Sequence, residues 1–146
     1  MIEENNRILA VDPGEKNIGL AISDPLAAIA RPLLVLKHVS QIYDAARIAQ
    51  LASENQVKMI VVGQPTGSDG ENIPQSRHSQ KLAEAIRSQI EIPVVLWDET
   101  NSTKIAQRLT IELNIPVSKR SGHQDALAAA VILQSYIDAH ASLRSA

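Results

Sequence analysis

Apolar and polar positions along the chain follow two different periods, and the switches between them mark the elements. Ile8 to Val11 is a continuous apolar run, the pattern of a strand buried on both faces, and it stops at Asp12. Pro13 and Gly14 break it. A second strand follows, with Ile18, Leu20 and Ile22 on one side and the small Gly19 and Ala21 on the other, a side that a helix can approach closely. Arg31 to Leu36 is a third strand whose Pro32 suits a sheet edge. Short connections make these three an antiparallel meander.

From Gln41 to Glu54 the period becomes helical, with Ile42, Ala45, Ile48, Ala49 and Ala52 on the inward face. Met59 to Gly63 is the next buried strand. A helix begins near Pro74, where proline fits the first turn, and Leu82, Ala83 and Ile86 anchor it. Its first half, Gln75 to Lys81, is polar throughout and brings Arg77, His78 and Lys81 together, either as a solvated helix end or as a basic patch. Pro93 to Trp97 is the last strand, ending in Asp98 and Glu99. A helix capped by Asn101 or Ser102 then carries Ile105, Ala106, Leu109 and Leu113 inward. Ser121 and Gln124 form a capping box for a final helix, apolar around much of its circumference, that runs to about His140. The order βββαβαβαα implies an α/β fold with a mixed sheet, its first strand central and its later strands parallel to the first by right-handed crossovers.

Composition narrows the chemistry. A chain of 146 residues is expected to be one domain, residues 1–146, with a three-layer core. Without Phe and with 2% aromatic residues, that core is aliphatic and poor in platforms for stacking bases. With 14 Lys and Arg against 16 Asp and Glu, the net charge is −2, so a polyanionic partner must be met by a local basic patch. Cysteine is absent, which leaves oxygen and imidazole as the metal donors. The polar start of the chain and the lack of an apolar run of membrane length lead us to expect a cytoplasmic protein that does not enter a membrane.

Parallel strands end on one edge of a sheet, the usual ligand edge of such folds. Asp12 and the Asp98–Glu99 pair share that edge, roughly 10 Å apart if one strand separates them. Alternation sends Asp98 and Glu99 to opposite faces, so one of the two enters a site directly. Asp125, in the early turns of the last helix, lies on a stripe with Ala128, Ala129 and Ile132. Each acid also has a plainer role open to it: Asp12 can cap its turn and Asp125 can face the free amides of its helix. Together they make an all-oxygen set suited to Mg²⁺ or Mn²⁺.

Four blocks carry a resemblance. Asp12, Gly14, Lys16, Gly19, Ala21, Ser23 and Asp24 form the first, and Val61-Val62-Gly63, Pro65, Asp69 and Gly70 the second. Asp98-Glu99 with Ser102-Thr103 is the third, and Asp125 with Ala128-Ala129, Ile132-Leu133-Gln134 and Tyr136 the fourth. In this order, over nearly the whole chain, they resemble the YqgF/RuvX family. The resemblance implies an RNase H-like three-layer fold with a five-stranded mixed sheet. It also implies a metal-dependent nuclease, described in the family both as a Holliday junction resolvase and as a nuclease maturing pre-16S ribosomal RNA.

On that likeness Asp12, Glu99 and Asp125 carry the metal, with Asp98 as a possible additional ligand. Lys16, Lys104, Arg108, Lys119, Arg120 and His123 contact phosphates, and His123 either shuttles a proton or is solvated. Structured RNA is the expected substrate and branched DNA the alternative, and the chain acts as a monomer or a homodimer. Two departures weaken nucleic-acid binding: Thr100 stands where the family commonly has Arg, and the loop from Ser118 to Gln124 is less basic than usual. A binding module with little catalysis is one competing expectation. A nucleotide-binding protein of the actin and sugar-kinase type is another, but 146 residues supply no second lobe.

Overall fold

The computed structural model describes residues 5–65, 72–99 and 120–144, with side chains of the last segment described over residues 126–141. Strands β1 (Ile8–Pro13), β2 (Asn17–Ser23), β3 (Ala30–Lys37), β4 (Met59–Gln64) and β5 (Val94–Asp98) form one sheet in the order β3-β2-β1-β4-β5. The first three pair antiparallel, and β4 and β5 run parallel to β1. The meander, the central first strand and the parallel later strands are therefore as expected. β3 is one edge, where Pro32 is tolerated, and the register slips from Leu20 opposite Leu34 to Ala21 opposite Pro32.

Helices α1 (Gln41–Glu54) and α2 (Pro74–Arg87) cover one face, and α3 (Arg120–Arg144) covers the other. Strand alternation divides the core accordingly. Leu9, Val11, Ile18, Leu20, Ile22, Ile60, Val62 and Val94 meet Ile48, Leu82 and Ile86 beneath α1 and α2. Ile8, Ala10, Ala21, Val61, Val95 and Trp97 meet Ala129, Ile132, Leu133 and Ile137 beneath α3. The small side chains of β1 and β2 thus lie under α3, where they let a helix sit close.

Two local expectations are corrected. Ile42 is 75% exposed, and Asp44 is buried in the first turn instead. The reason is the chain just before α1: Asp44 accepts hydrogen bonds from the backbone of Val39 at 3.0 Å and from His38 Nδ1, so this turn faces its own entry segment. Ser40 caps α1 by accepting from the Tyr43 amide. The second correction is Ser121, which cannot cap the final helix because α3 already includes Arg120. The helix expected around Ile105 to Leu113 lies outside the described residues.

The polar half of α2 is partly buried as well. Ser76 Oγ donates to the Pro65 carbonyl and accepts from the Ile73 amide, and Ser79 Oγ donates to the Gln75 carbonyl. Arg77, His78 and Lys81 are exposed.

The α1 register makes a test. Ile48→Ala should cost about 2–5 kcal/mol, the usual price of emptying a fully buried aliphatic position. Ile42→Ser should stay within about 0.5 kcal/mol. Urea unfolding of the two variants checks both.

Candidate active site

Strand alternation selects the acids. Ala10 and Val61 pack under α3, as do Val95 and Trp97. Continuing that alternation, Asp12, Gly63 and Glu99 face α3 at the C-terminal ends of the adjacent strands β1, β4 and β5. Asp98 has the opposite parity and is exposed at the end of β5. Of the Asp98–Glu99 pair it is therefore Glu99 that turns inward. Its amide extends the ladder by donating to the Gln64 carbonyl at 3.2 Å.

Glu99 shares a hydrogen bond with Asp12 across the intervening β4. Gly63, on that strand, makes this possible. A Cβ built there would come within 2.6 Å of Glu99 Oε1 and within 2.6 Å of Ile132 Cδ1, so no side chain fits beneath the two carboxyls. The sequence marked Gly63 as the end of a strand and as part of the second resemblance block, without a role. Its place under the acid pair emerges from the pairing of β4 with both neighbours.

The electrostatics are unfavourable to a charged Glu99. Burial, then the Asp12 charge and its hydrogen bond, then the Asp98 charge push the carboxyl from its ordinary 4.5 up to about 8. Glu99 Oε1 is buried and has no hydrogen-bond partner among the described residues. Two touching carboxyls, a third close enough to repel and an oxygen with no donor among the described residues form a donor set that a hard divalent cation would satisfy. The residues present fit such an ion. Among the described residues no cluster of three His, Cys, Asp or Glu assembles, so the described share of the site is the Asp12–Glu99 pair.

Backbone direction brings the third acid into the picture. Tyr136 donates to Met59 at the start of β4, whereas Ile132 reaches Gly63 near its end. α3 therefore points its N-terminus toward the acidic edge, and position 125 lies two turns before Ile132 on the same helical face. The side chain of Asp125 lies outside the described residues, as do those of Arg120 and His123. Lys104, Arg108, Lys119 and Thr100 lie outside them entirely. Lys16 is exposed in the turn after β1, beside the acids, while Arg77 and Lys81 are on α2, across the sheet from them.

Three neighbouring aromatic groups, Trp97, Tyr136 and His140, pack edge-on or stacked on the α3 side, with ring centres 4.1–5.4 Å apart. Low aromatic content concealed this cluster, because two of the chain's three Trp and Tyr residues meet in one place. It braces β5 against α3 through Trp97, two residues before Glu99 on the same face of the strand.

A sheet of this order, with acids at the ends of its central strand and of the parallel strand two places away, is the RNase H-like fold found in nucleases. Solved structures share it at low identity. Thermus thermophilus RuvC in complex with a Holliday junction substrate matches with a TM-score of 0.63 at 17% identity, covering 94% of this chain and 96% of that one. The large terminase nuclease from the thermophilic phage G20c matches with a TM-score of 0.59 at 13% identity, covering 90% and 82%. The chain belongs to the RuvX family, described as Holliday junction resolvase, which matches residues 6–139. A relative from Thermoanaerobacter pseudethanolicus is 41% identical over 90% of this chain and 96% of its own length, and one from Roseiflexus is 36% identical over 94% and 98%. Both are named "Putative pre-16S rRNA nuclease".

The raised Glu99 pKa sets the pH response. Between about 4.5 and 8 the folded metal-free protein holds a proton on Glu99 that the unfolded chain releases. Stability is therefore greatest at the acid side of this window and falls as pH rises through it. Denaturant titrations in EDTA across this range should show the fall, and Glu99→Gln should remove that contribution.

Proposed function

We propose that this chain is a metal-dependent nuclease that hydrolyses phosphodiester bonds in structured nucleic acid, with precursor 16S ribosomal RNA as its substrate. The observation that carries the reading is the Asp12–Glu99 carboxyl pair, with a buried Glu99 oxygen that has no partner among the described residues, at the ligand edge of an RNase H-like sheet. The names of the relatives supply the RNA substrate. The family's description favours a second reading of the same chemistry, cleavage of a four-way DNA junction.

Asp12, Glu99 and Asp125 would hold the ion, Mg²⁺ or Mn²⁺, and Asp98 would add negative charge from the other side of β5. A divalent ion bound there supplies Lewis acidity and a water activated for attack on phosphorus. Asp12 and Glu99 fix the reacting edge because both ride on strand ends rather than on loops. Gly63, without a Cβ, leaves the room that the Glu99 carboxyl and Ile132 occupy. Lys16, in the turn beside Asp12, is the described cation best placed to meet the substrate backbone here, with Lys104, Arg108, Lys119, Arg120 and His123 assigned the same role. Arg77 and Lys81 extend that role to the α2 side of the edge. The domain, residues 1–146, works in the cytoplasm on this reading. Among the described residues no helix is long and apolar enough to cross a membrane.

Cleavage of a precursor 16S RNA fragment and of a four-way DNA junction, compared in Mg²⁺, Mn²⁺ and EDTA, tests the proposal. Cutting should require metal and favour the RNA, and Asp12→Asn should lower it by at least about 100-fold, the scale of a lost metal ligand. Binding without cutting in any metal would leave a nucleic-acid-binding module. Preference for the junction would establish the second reading.

A further inference from the structure

On the side of the sheet away from the acid pair, a second group of polar side chains converges on the same edge. His38 follows β3, and its amide donates to the carbonyl of Lys16 in the turn that leaves Asp12, at 2.9 Å. Gln41, in the first turn of α1, donates to the Lys81 carbonyl of α2 at 2.7 Å. The turn, the entry to α1 and the first half of α2 are thus tied into one corner.

Within it, Asp44 is 97% buried by side chain, with 3% of its surface exposed, yet it serves a residue that is not. One of its oxygens accepts the Val39 amide at 3.0 Å and the other meets His38 Nδ1 at 2.5 Å. The His38 side chain keeps 35% of its surface exposed. With Nδ1 taken by the carboxylate, Nε2 is the ring atom left for a ligand. The exposed His78 ring stands edge-on to His38 with centres 6.5 Å apart. His78 also borders, with Pro13, Glu15, Pro74 and Gln75, a cavity of about 230 Å³ beside the Asp12 turn.

We propose that His38 and His78 form a phosphate-binding subsite for the nucleic-acid strand as it runs from the acid pair over the Pro13–Gly14 turn to the α1–α2 face. Asp44 fixes the His38 ring from behind through Nδ1 while a phosphate oxygen meets Nε2 in front, with the rear carboxylate already in place. The His38 and His78 rings are near enough to serve two oxygens of one phosphate or two successive phosphates. Exposed Lys16, Lys37 and Arg77 reinforce the positive side, and Glu15 on the cavity rim opposes it. A transition-metal site would use the same imidazoles, but the described residues offer no third donor. Phosphate chemistry is common to RNA and DNA, so the subsite adds affinity for either.

The subsite rests on the nuclease reading, and its test separates the two. Binding of a precursor 16S RNA fragment and of a four-way DNA junction is measured in EDTA, from low to moderate salt, for the wild type and for His38→Gln, His78→Gln and the double variant. The expected result is a Kd raised on the order of tenfold in the double variant, with a salt slope shallower by about one, the signature of a lost phosphate contact. His140→Gln, across the sheet on α3, should bind as the wild type. If His38→Gln perturbs folding by leaving Asp44 short of a partner, the exposed His78→Gln still carries the test. Wild-type affinity and salt slope in both His78→Gln and the double variant, where the wild type binds, would overturn the subsite alone. Wild-type protein that binds neither nucleic acid would overturn the functional reading and the subsite with it. Loss on only one of the two substrates would support the subsite and identify the strand it serves.

Discussion

The contact between Asp12 and Glu99 is the constraint around which the rest of this edge is built. Two carboxyls from strands that are not neighbours touch over a third strand, and they can do so because that strand carries glycine there. In the absence of a cation the contact is held together by a proton, with Glu99 raised to about 8 by burial and by its acidic neighbours. Such an arrangement works against metal-free stability near neutral pH. The aliphatic core under both helix layers offsets it: Leu9, Leu20, Ile22 and Ile60 on one face and Leu133 on the other are fully buried. Strain of this kind at one edge of an otherwise well-packed sheet is a mark of a site shaped for a ligand.

The two faces of the sheet divide the labour. Beneath α3, small side chains on β1 and β2 admit the helix closely enough for Ile132 to reach Gly63 and for Tyr136 and His140 to brace Trp97. That packing fixes the axis on which Asp125 rides. Beneath α1 and α2 larger aliphatic residues fill the interior, and the polar groups collect where these helices begin, around Asp44 and His38. Chemistry and substrate contact can thus occupy opposite sides of one edge.

Much of this was legible from residue periods alone. The five strands, their mixed pairing and the helices at 41–54 and 74–87 follow from alternation, from the 3.6-residue repeat and from Pro74 at a first turn. That Asp12 and the Asp98–Glu99 pair share one edge follows from counting which strands run parallel. What escaped depended on contacts between distant segments. The period of α1 includes Ile42, but the turn that carries it packs against His38 and Val39 rather than the core, and a helical repeat cannot register that. Ser121 resembles a cap because local capping chemistry reads alike at any serine, whereas where a helix starts also depends on what precedes it. The roles of Gly63 and of the His38–Asp44 pair had no local signal, since each is defined by a partner from another element.

The most direct test of the central claim is calorimetric titration of Mn²⁺ into metal-free protein at pH 7, in two buffers of different ionisation enthalpy. The account predicts binding accompanied by release of about one proton, because the ion replaces the proton that Glu99 shares with Asp12. Glu99→Gln should bind at least about tenfold more weakly and release none. Equal binding by the variant, or no binding by the wild type, would contradict a cation site built on this carboxyl pair.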